Sequence, residues 1–220
     1  MELLKIYHLL LSHFGYQNWW PAETRYEVVI GAVLTQNTSW KNVEKAIENL
    51  KKENLIDERK ILEIDTEKLK KLIKPAGFYN IKAERLKNIT HHIVKNYGST
   101  ENLAKLPIKL EDLRKELLNV KGIGKETADS ILLYALDRPI FVVDAYTKRI
   151  FSRLGVIEGG EEYDEIRHIF EENLPKDLKI YKEYHALIVE LGKHYCKKRN
   201  PACEKCPLSD LCDYSCLPYK

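Results

Sequence analysis

Leu117-Leu118-Asn119-Val120-Lys121-Gly122-Ile123-Gly124-Lys125-Glu126-Thr127-Ala128 is the stretch whose reading decides the fold. A helix closes at its start, a Gly-Ile-Gly hairpin turns the chain, and a second helix begins at once. Glycines at such a turn permit positive φ and let the backbone approach another surface closely. The amides that open the second helix then face outward, and a helix N-terminus of this kind favours phosphate. An ordinary αα-hairpin uses the same turn, so its meaning depends on its surroundings.

Working outward, helical periodicity dominates. The pattern from Leu3 to Leu11 stops near Gly15, and Thr24 with Glu27 reads as a capping box that opens a helix through Val28, Ile30 and Leu34. Further helices are predicted over about 40–52, 66–73, 80–96, 109–118, 125–136, 145–153, 161–172 and 180–194. Strand alternation is absent, and Pro139 to Val143, short and without a pairing candidate, reads as a buried connector. The expected fold class is all-α. Directly after that connector comes Phe141-Val142-Val143-Asp144-Ala145-Tyr146-Thr147-Lys148-Arg149, in which a carboxylate caps a helix. An Asp at this position is ordinarily structural.

Composition narrows the class. A chain of 220 residues with 44% hydrophobic and 31% charged residues has ample core for one large or two small domains. No apolar run approaches bilayer-spanning length, and the opening MELLKIYHLLLSHF mixes Lys5, His8 and His13 into its apolar positions, unlike a signal peptide. The expected location is therefore cytoplasmic. A net charge of +3 is too small to demand a nucleic-acid partner, but Lys193, Lys197, Lys198, Arg199 and Lys205 gather near the C-terminus. Lys and Glu abound while Gln occurs only at 17 and 36, a bias of thermophilic type that also singles out Gln36.

Every cysteine in the chain lies within that basic stretch or shortly after it. Cys196, Cys203, Cys206 and Cys212 are spaced C-x6-C-x2-C-x5-C, and Cys216 stands apart as a bystander thiol. Four thiolates in so short a loop suit an iron–sulfur cluster or tetrahedral zinc. The spacing is unlike the paired C-x2-C knuckles of zinc ribbons, which favours the cluster. Disulfides are the weakest reading, because the 195 preceding residues contain no cysteine.

Taken together, the GIG hairpin, the VDAYTKR segment and the terminal cysteine loop resemble the endonuclease III (HhH-GPD) superfamily of DNA glycosylases, over nearly the whole chain. The resemblance implies two helical domains flanking a DNA-binding cleft. One is a six-helix domain over 25–136 that contains the helix-hairpin-helix. The other joins 1–24 to 137–220 and carries a [4Fe–4S] cluster on Cys196, Cys203, Cys206 and Cys212. It also implies that Asp144 is the catalytic aspartate. Gly122, Ile123, Gly124 and the adjoining Lys125 would hold a DNA phosphate, in some members with a monovalent cation. Gln36 matches the position that enters the gap left by a flipped base, and Phe78, in Gly77-Phe78-Tyr79-Asn80-Ile81, the residue that wedges the opposite strand. Lys148, Arg149, Lys197, Lys198 and Arg199 are expected to contact backbone phosphates, which positions the protein without reading sequence.

One departure bears on the chemistry. Bifunctional members place a lysine where this chain has Glu126, and a carboxylate cannot form the Schiff base that β-elimination needs. The expectation is a monofunctional enzyme of base excision repair that leaves an abasic site. Asn18-Trp19-Trp20-Pro21 and Leu34-Thr35-Gln36-Asn37-Thr38-Ser39-Trp40 hold all the tryptophans of the chain and resemble the 3-methyladenine branch. An alkylated purine is cationic, and Trp19, Trp20 and Trp40 offer it an aromatic pocket, each cation–π contact contributing roughly 0.5–2 kcal/mol. The alternatives are a T/G or U/G mismatch glycosylase, an oxidised-pyrimidine enzyme with or without lyase activity, and a non-catalytic binder of DNA structure. The expected partner is damaged duplex DNA, bound by a monomer at the nucleoid.

Overall fold

A computed structural model describes residues 3–216, the last two as backbone only, so the Cys216 thiol lies outside the described residues. Among these the chain is helical and contains no strand, in agreement with the all-α expectation. The first helices are α1 (Leu3–Phe14), α2 (Arg25–Leu34), α3 (Trp40–Lys52), α4 (Glu58–Glu63), α5 (Thr66–Ile73) and α6 (Tyr79–Tyr97). They are followed by α7 (Thr100–Lys105), α8 (Leu110–Leu118), α9 (Lys125–Ser130), α10 (Ala145–Arg153), α11 (Tyr163–Asn173) and α12 (Leu178–His194). The chain divides into two compact units, one continuous over Trp20–Arg138 and one that joins the first nineteen residues to those from Pro139 onward.

The continuous unit is built around α2, buried on every side from Tyr26 to Leu34, as expected of a helix apolar all round. Thr24 caps it by accepting from the Glu27 amide at 3.1 Å. Only half of the expected capping box forms. The Glu27 carboxylate accepts from the Glu23 amide at 3.1 Å and pairs with Lys51 Nζ at 2.9 Å, because α3 brings a cation beside it. At the other end of α2 the buried Lys82 ammonium donates to the carbonyls of Leu34 and Ala76, both at 2.8 Å. A cation is favoured where a helix ends in unpaired carbonyls. Burial, with Arg85 adding a like charge, draws the Lys82 pKa down to about 8.

The helix expected over 125–136 is shorter than predicted. It is α-helical to Ser130 and widens into a π-turn over Ile131–Ala135, where the Leu136 amide bonds to Ile131 O at 3.0 Å. All five residues of that turn are buried, and Asp137, at φ 53°, ends it in the left-handed region. Helices α4 and α7 were not anticipated. Each has six residues, too few to display a period, and each starts from a local cap, Asp57 for α4 and Ser99 for α7.

In the second unit, α12 packs against α1 and α10. Its core is aromatic: Phe141 stacks on Phe170 at 4.1 Å, and Phe151 meets Phe170 edge-on at 4.7 Å. Tyr184, fully buried, donates its hydroxyl to Leu3 O at 2.9 Å and so pins α1 to α12. The connector before Asp144 has no strand partner. Side chains satisfy its backbone instead, the Phe141 amide donating to Glu171 Oε1 (2.9 Å) and the Val143 amide to the Tyr163 hydroxyl (3.3 Å).

Candidate active site and cluster loop

The hairpin at 122–124 is fixed by its own unit. Arg114 in α8 forms a bidentate, buried pair with Asp129 in α9, Nε to Oδ1 at 2.7 Å and Nη2 to Oδ2 at 3.1 Å, which joins the two helices of the motif. Gly122 has φ 92°, and a Cβ there would stand 2.3 Å from Arg85 Cγ, so both conformation and space require glycine. Ile123 is buried, whereas Gly124, Lys125 and Glu126 are exposed in the turn that opens α9.

Gln36 is drawn to this hairpin. Its amide nitrogen donates to Thr127 Oγ1 at 2.8 Å and Gly122 O at 3.3 Å, and its oxygen accepts from Arg85. Arg85 and Thr127 were not anticipated, since an arginine in an amphipathic helix and a threonine after a turn give no sequence signal. Phe78, 66% exposed, occupies the left-handed region at φ 45°, directly before α6. A bulky residue held there is strained by about 1–3 kcal/mol, a feature that clusters at functional sites.

Trp20 and Trp40 come together. Trp20 meets Trp40 and Tyr134 edge-on, each with ring centroids 5.2 Å apart, and its indole lies against Gly31 of α2. Tyr134 belongs to the π-turn and was not singled out. Trp19 is grouped in the other unit with His185, centroids 5.9 Å apart, beneath the Lys193 ammonium at 5.5 Å. Glu183 holds the backbone of this segment by accepting from the amides of Gln17 and Asn18.

Asp144 caps α10 in a full capping box. Its Oδ1 accepts from the Thr147 amide at 2.7 Å and hydroxyl at 2.9 Å, and the hydroxyl in turn accepts from the Asp144 amide at 3.4 Å. Its Oδ2 lies 3.6 Å from His185 Nε2. Burial pushes the carboxyl pKa up, but the imidazole of His185 and the donors of Thr147 outweigh it, and the group ionises below its ordinary range. His185 was missed because one histidine within Tyr184–Val189 reads as core.

The cysteine loop leaves α12 directly. Cys196, Cys203, Cys206 and Cys212 are all half-buried. Burial first, and then the three other thiols, push the Cys206 pKa up to about 11, which places the set in one another's field. Among the described residues no three His, Cys, Asp or Glu side chains are gathered tightly enough for a single ion. Arg153 donates to Cys196 Sγ at 3.2 Å and Lys197 O at 2.8 Å, and Arg149 Nε to Cys196 O at 3.0 Å. This soft donor set with adjacent N–H donors fits an iron–sulfur cluster. Lys148, Lys197, Lys198 and Arg199 are exposed, whereas the guanidinium of Arg149 is turned to the cysteine loop and stacked over Tyr146 at 5.0 Å.

Residues 30–176 match the HhH-GPD superfamily of base excision DNA repair proteins, and residues 196–212 match the iron–sulfur binding domain of endonuclease III. The chain therefore belongs to the HhH-GPD superfamily, as an endonuclease III-like DNA glycosylase with a [4Fe–4S] binding domain. It is 66% identical over 210 residues to a Methanocaldococcus jannaschii protein named as a DNA repair glycosylase, covering 96% of this chain and 95% of that one. It is 33% identical over 189 residues to endonuclease III of Thermotoga maritima, covering 86% of this chain and 83% of the other. Among solved structures it is similar to the 3-methyladenine DNA glycosylase MagIII of H. pylori bound to 1,N6-ethenoadenine, with TM-score 0.78, 35% identity, and coverage of 88% and 98%. An endonuclease III–DNA complex shares the fold at TM-score 0.82 and 22% identity. No helix among the described residues is long and apolar enough to cross a membrane.

Proposed function

We propose that this glycosylase is monofunctional and removes alkylated purines of the 3-methyladenine type from duplex DNA. The observation that carries the reading is Glu126, an exposed carboxylate in the first turn of α9, where bifunctional relatives have their lysine. With no amine at that position, the sugar is attacked by water and the strand is left intact. The grouping of Trp20, Trp40 and Tyr134 supports a cationic base, for which aromatic faces provide attraction without hydrogen bonds. The likeness to the H. pylori 3-methyladenine enzyme points the same way.

The chemistry follows from the charge on the substrate. An alkylated purine is a good leaving group, so its departure needs no strong acid; it needs stabilisation of the oxocarbenium-like sugar it leaves behind. Asp144, held ionised, supplies a negative charge and orients water for attack, as carboxylates do in glycoside hydrolysis. Flipping the nucleotide costs a few kcal/mol, least for damaged pairs. Gln36 fills the vacated space and Phe78 wedges the opposite strand. The hairpin of Gly122, Ile123 and Gly124 holds a phosphate, alone or with a monovalent cation, while Lys125, Lys148, Lys197, Lys198, Arg149 and Arg199 add basic contacts. The enzyme works as a monomer on chromosomal DNA in the cytoplasm.

The cluster ligands are Cys196, Cys203, Cys206 and Cys212. When bound, the cluster supplies metal–thiolate bonds that cross-link the loop.

The second reading, a mismatch or oxidised-pyrimidine enzyme with strand-cleaving activity, is favoured by the identity to Thermotoga endonuclease III. Release of free bases from methylated duplex DNA separates the two. Wild type is expected to release methylated purines with strands intact until alkali is added, and Asp144→Asn to lose roughly 10²–10⁴-fold in rate. Release only from T/G, U/G or oxidised-pyrimidine duplexes, or cleavage without alkali, rejects the alkylpurine assignment.

A further inference from the structure

We propose that His185 is a positioning residue for Asp144, holding the second oxygen of the carboxylate while Thr147 holds the first. The proposal rests on the reading of Asp144 as the catalytic carboxylate.

The cap alone is an incomplete fixture. Both Thr147 donors converge on Oδ1, at 2.7 and 2.9 Å, and that oxygen is committed to the start of α10. The chemistry falls to Oδ2, whose placement depends on rotation of the carboxylate about a torsion with broad minima. His185 Nε2 lies 3.6 Å from Oδ2 and comes from a different helix, α12. The approach of the two helices is tight. A Cβ on Gly192 of α12 would stand 2.2 Å from the ring of Tyr146 in α10, so only glycine lets α12 pass this close to the residue two places beyond Asp144.

The imidazole is itself clamped. His185 is 5% exposed, and Trp19 leans on it at a tilt of 58°. Charged groups near the pair on the two helices have partners of their own, Glu190 of α12 among them, paired with Lys193 and His194. From α10 comes the Asp144 carboxylate, with the Arg149 guanidinium spent on Cys196 O and Gly192 O. From α12 come Glu183, spent on the amides of Gln17 and Asn18, and Lys193, which lies over the Trp19 ring. The connection from tryptophan to imidazole to carboxylate is therefore continuous within one unit. The His185 imidazole beside Oδ2 favours the ionised carboxylate against the burial that opposes it, and only the ionised form stabilises positive charge on the sugar.

The test compares His185→Gln, which keeps an N–H donor without charge, and His185→Phe, which keeps the ring without a donor. Three readouts are taken: the ¹³C titration of the Asp144 carboxyl, the pH profile of single-turnover base release, and DNA affinity. In both variants Asp144 is expected to titrate at higher pH than in wild type, and the acid limb of the rate profile to move upward with it. Rates fall by up to roughly 10²-fold, the scale of a small misplacement, and DNA affinity stays unchanged. A carboxyl that titrates as in wild type in the folded Gln variant overturns the proposal, whatever the rates do. Full activity in Asp144→Asn defeats the catalytic reading instead, and the carboxyl titration still decides whether His185 acts on Asp144.

Discussion

Asp144 is at once a helix cap and a largely enclosed carboxylate, 12% exposed, and the two roles respond differently to Asp144→Asn. An asparagine oxygen still accepts from Thr147, so the cap persists. What disappears is the ionisation. The folded-state pKa lies below the unfolded value of about 3.9, so the stability linked to it is present above that value and is lost as pH falls through the folded pKa. Thermal melts from neutral pH down to pH of about 2 are expected to show a shallower acid loss in Asp144→Asn than in wild type. Equal slopes would mean that the carboxylate is not held ionised by its neighbours. The position itself was legible in sequence, because an apolar run followed by Asp-Ala-Tyr-Thr-Lys-Arg marks both a cap and a motif. His185 was not legible: nothing in the spacing between residues 144 and 185 tells that α12 returns to the start of α10.

At the scale of elements, a buried ion pair joins the two helices of the hairpin motif. Removing only its cation, in Arg114→Met, strips the buried Asp129 carboxylate of this bidentate partner, at a cost of about 3–5 kcal/mol. The double variant Arg114→Met/Asp129→Leu is expected to regain much of that loss, since replacing both partners by apolar groups is often neutral. Denaturant melts of the two variants and the wild type measure both quantities, and an equal loss in single and double variants contradicts the account. Long amphipathic helices such as α3 and α10 were readable because several turns repeat the same face. The six-residue helices α4 and α7 were not, because one and a half turns define no period and tertiary contacts select them. The π-turn after α9 was also beyond the sequence. An unbroken apolar run from Ile131 to Ala135 states that the segment is buried, and leaves its hydrogen-bond register to the packing around it.

At the scale of the molecule, Arg153 is prominent among the protein contacts that fasten the cysteine loop. Removing one of the proposed ligands in Cys206→Ser is expected to abolish the brown colour of the cluster, expose residues 196–212 to proteolysis, and lower Tm by more than about 4 °C, equivalent to about 1 kcal/mol or more. An unchanged proteolytic pattern would show that the loop needs no metal to hold its shape. The discontinuous unit has a further effect during synthesis. Leu3, Ile6, Tyr7 and Leu10 of α1 emerge from the ribosome early, yet α12, against which α1 packs, is made only at Leu178–His194. At about 5–20 residues per second, that apolar stripe waits roughly 8–30 s for its partner, while Trp20–Arg138 has all of its own elements at hand. Chaperone engagement with the nascent chain is therefore expected to fall on this helix, which is translated well before the helix it packs against.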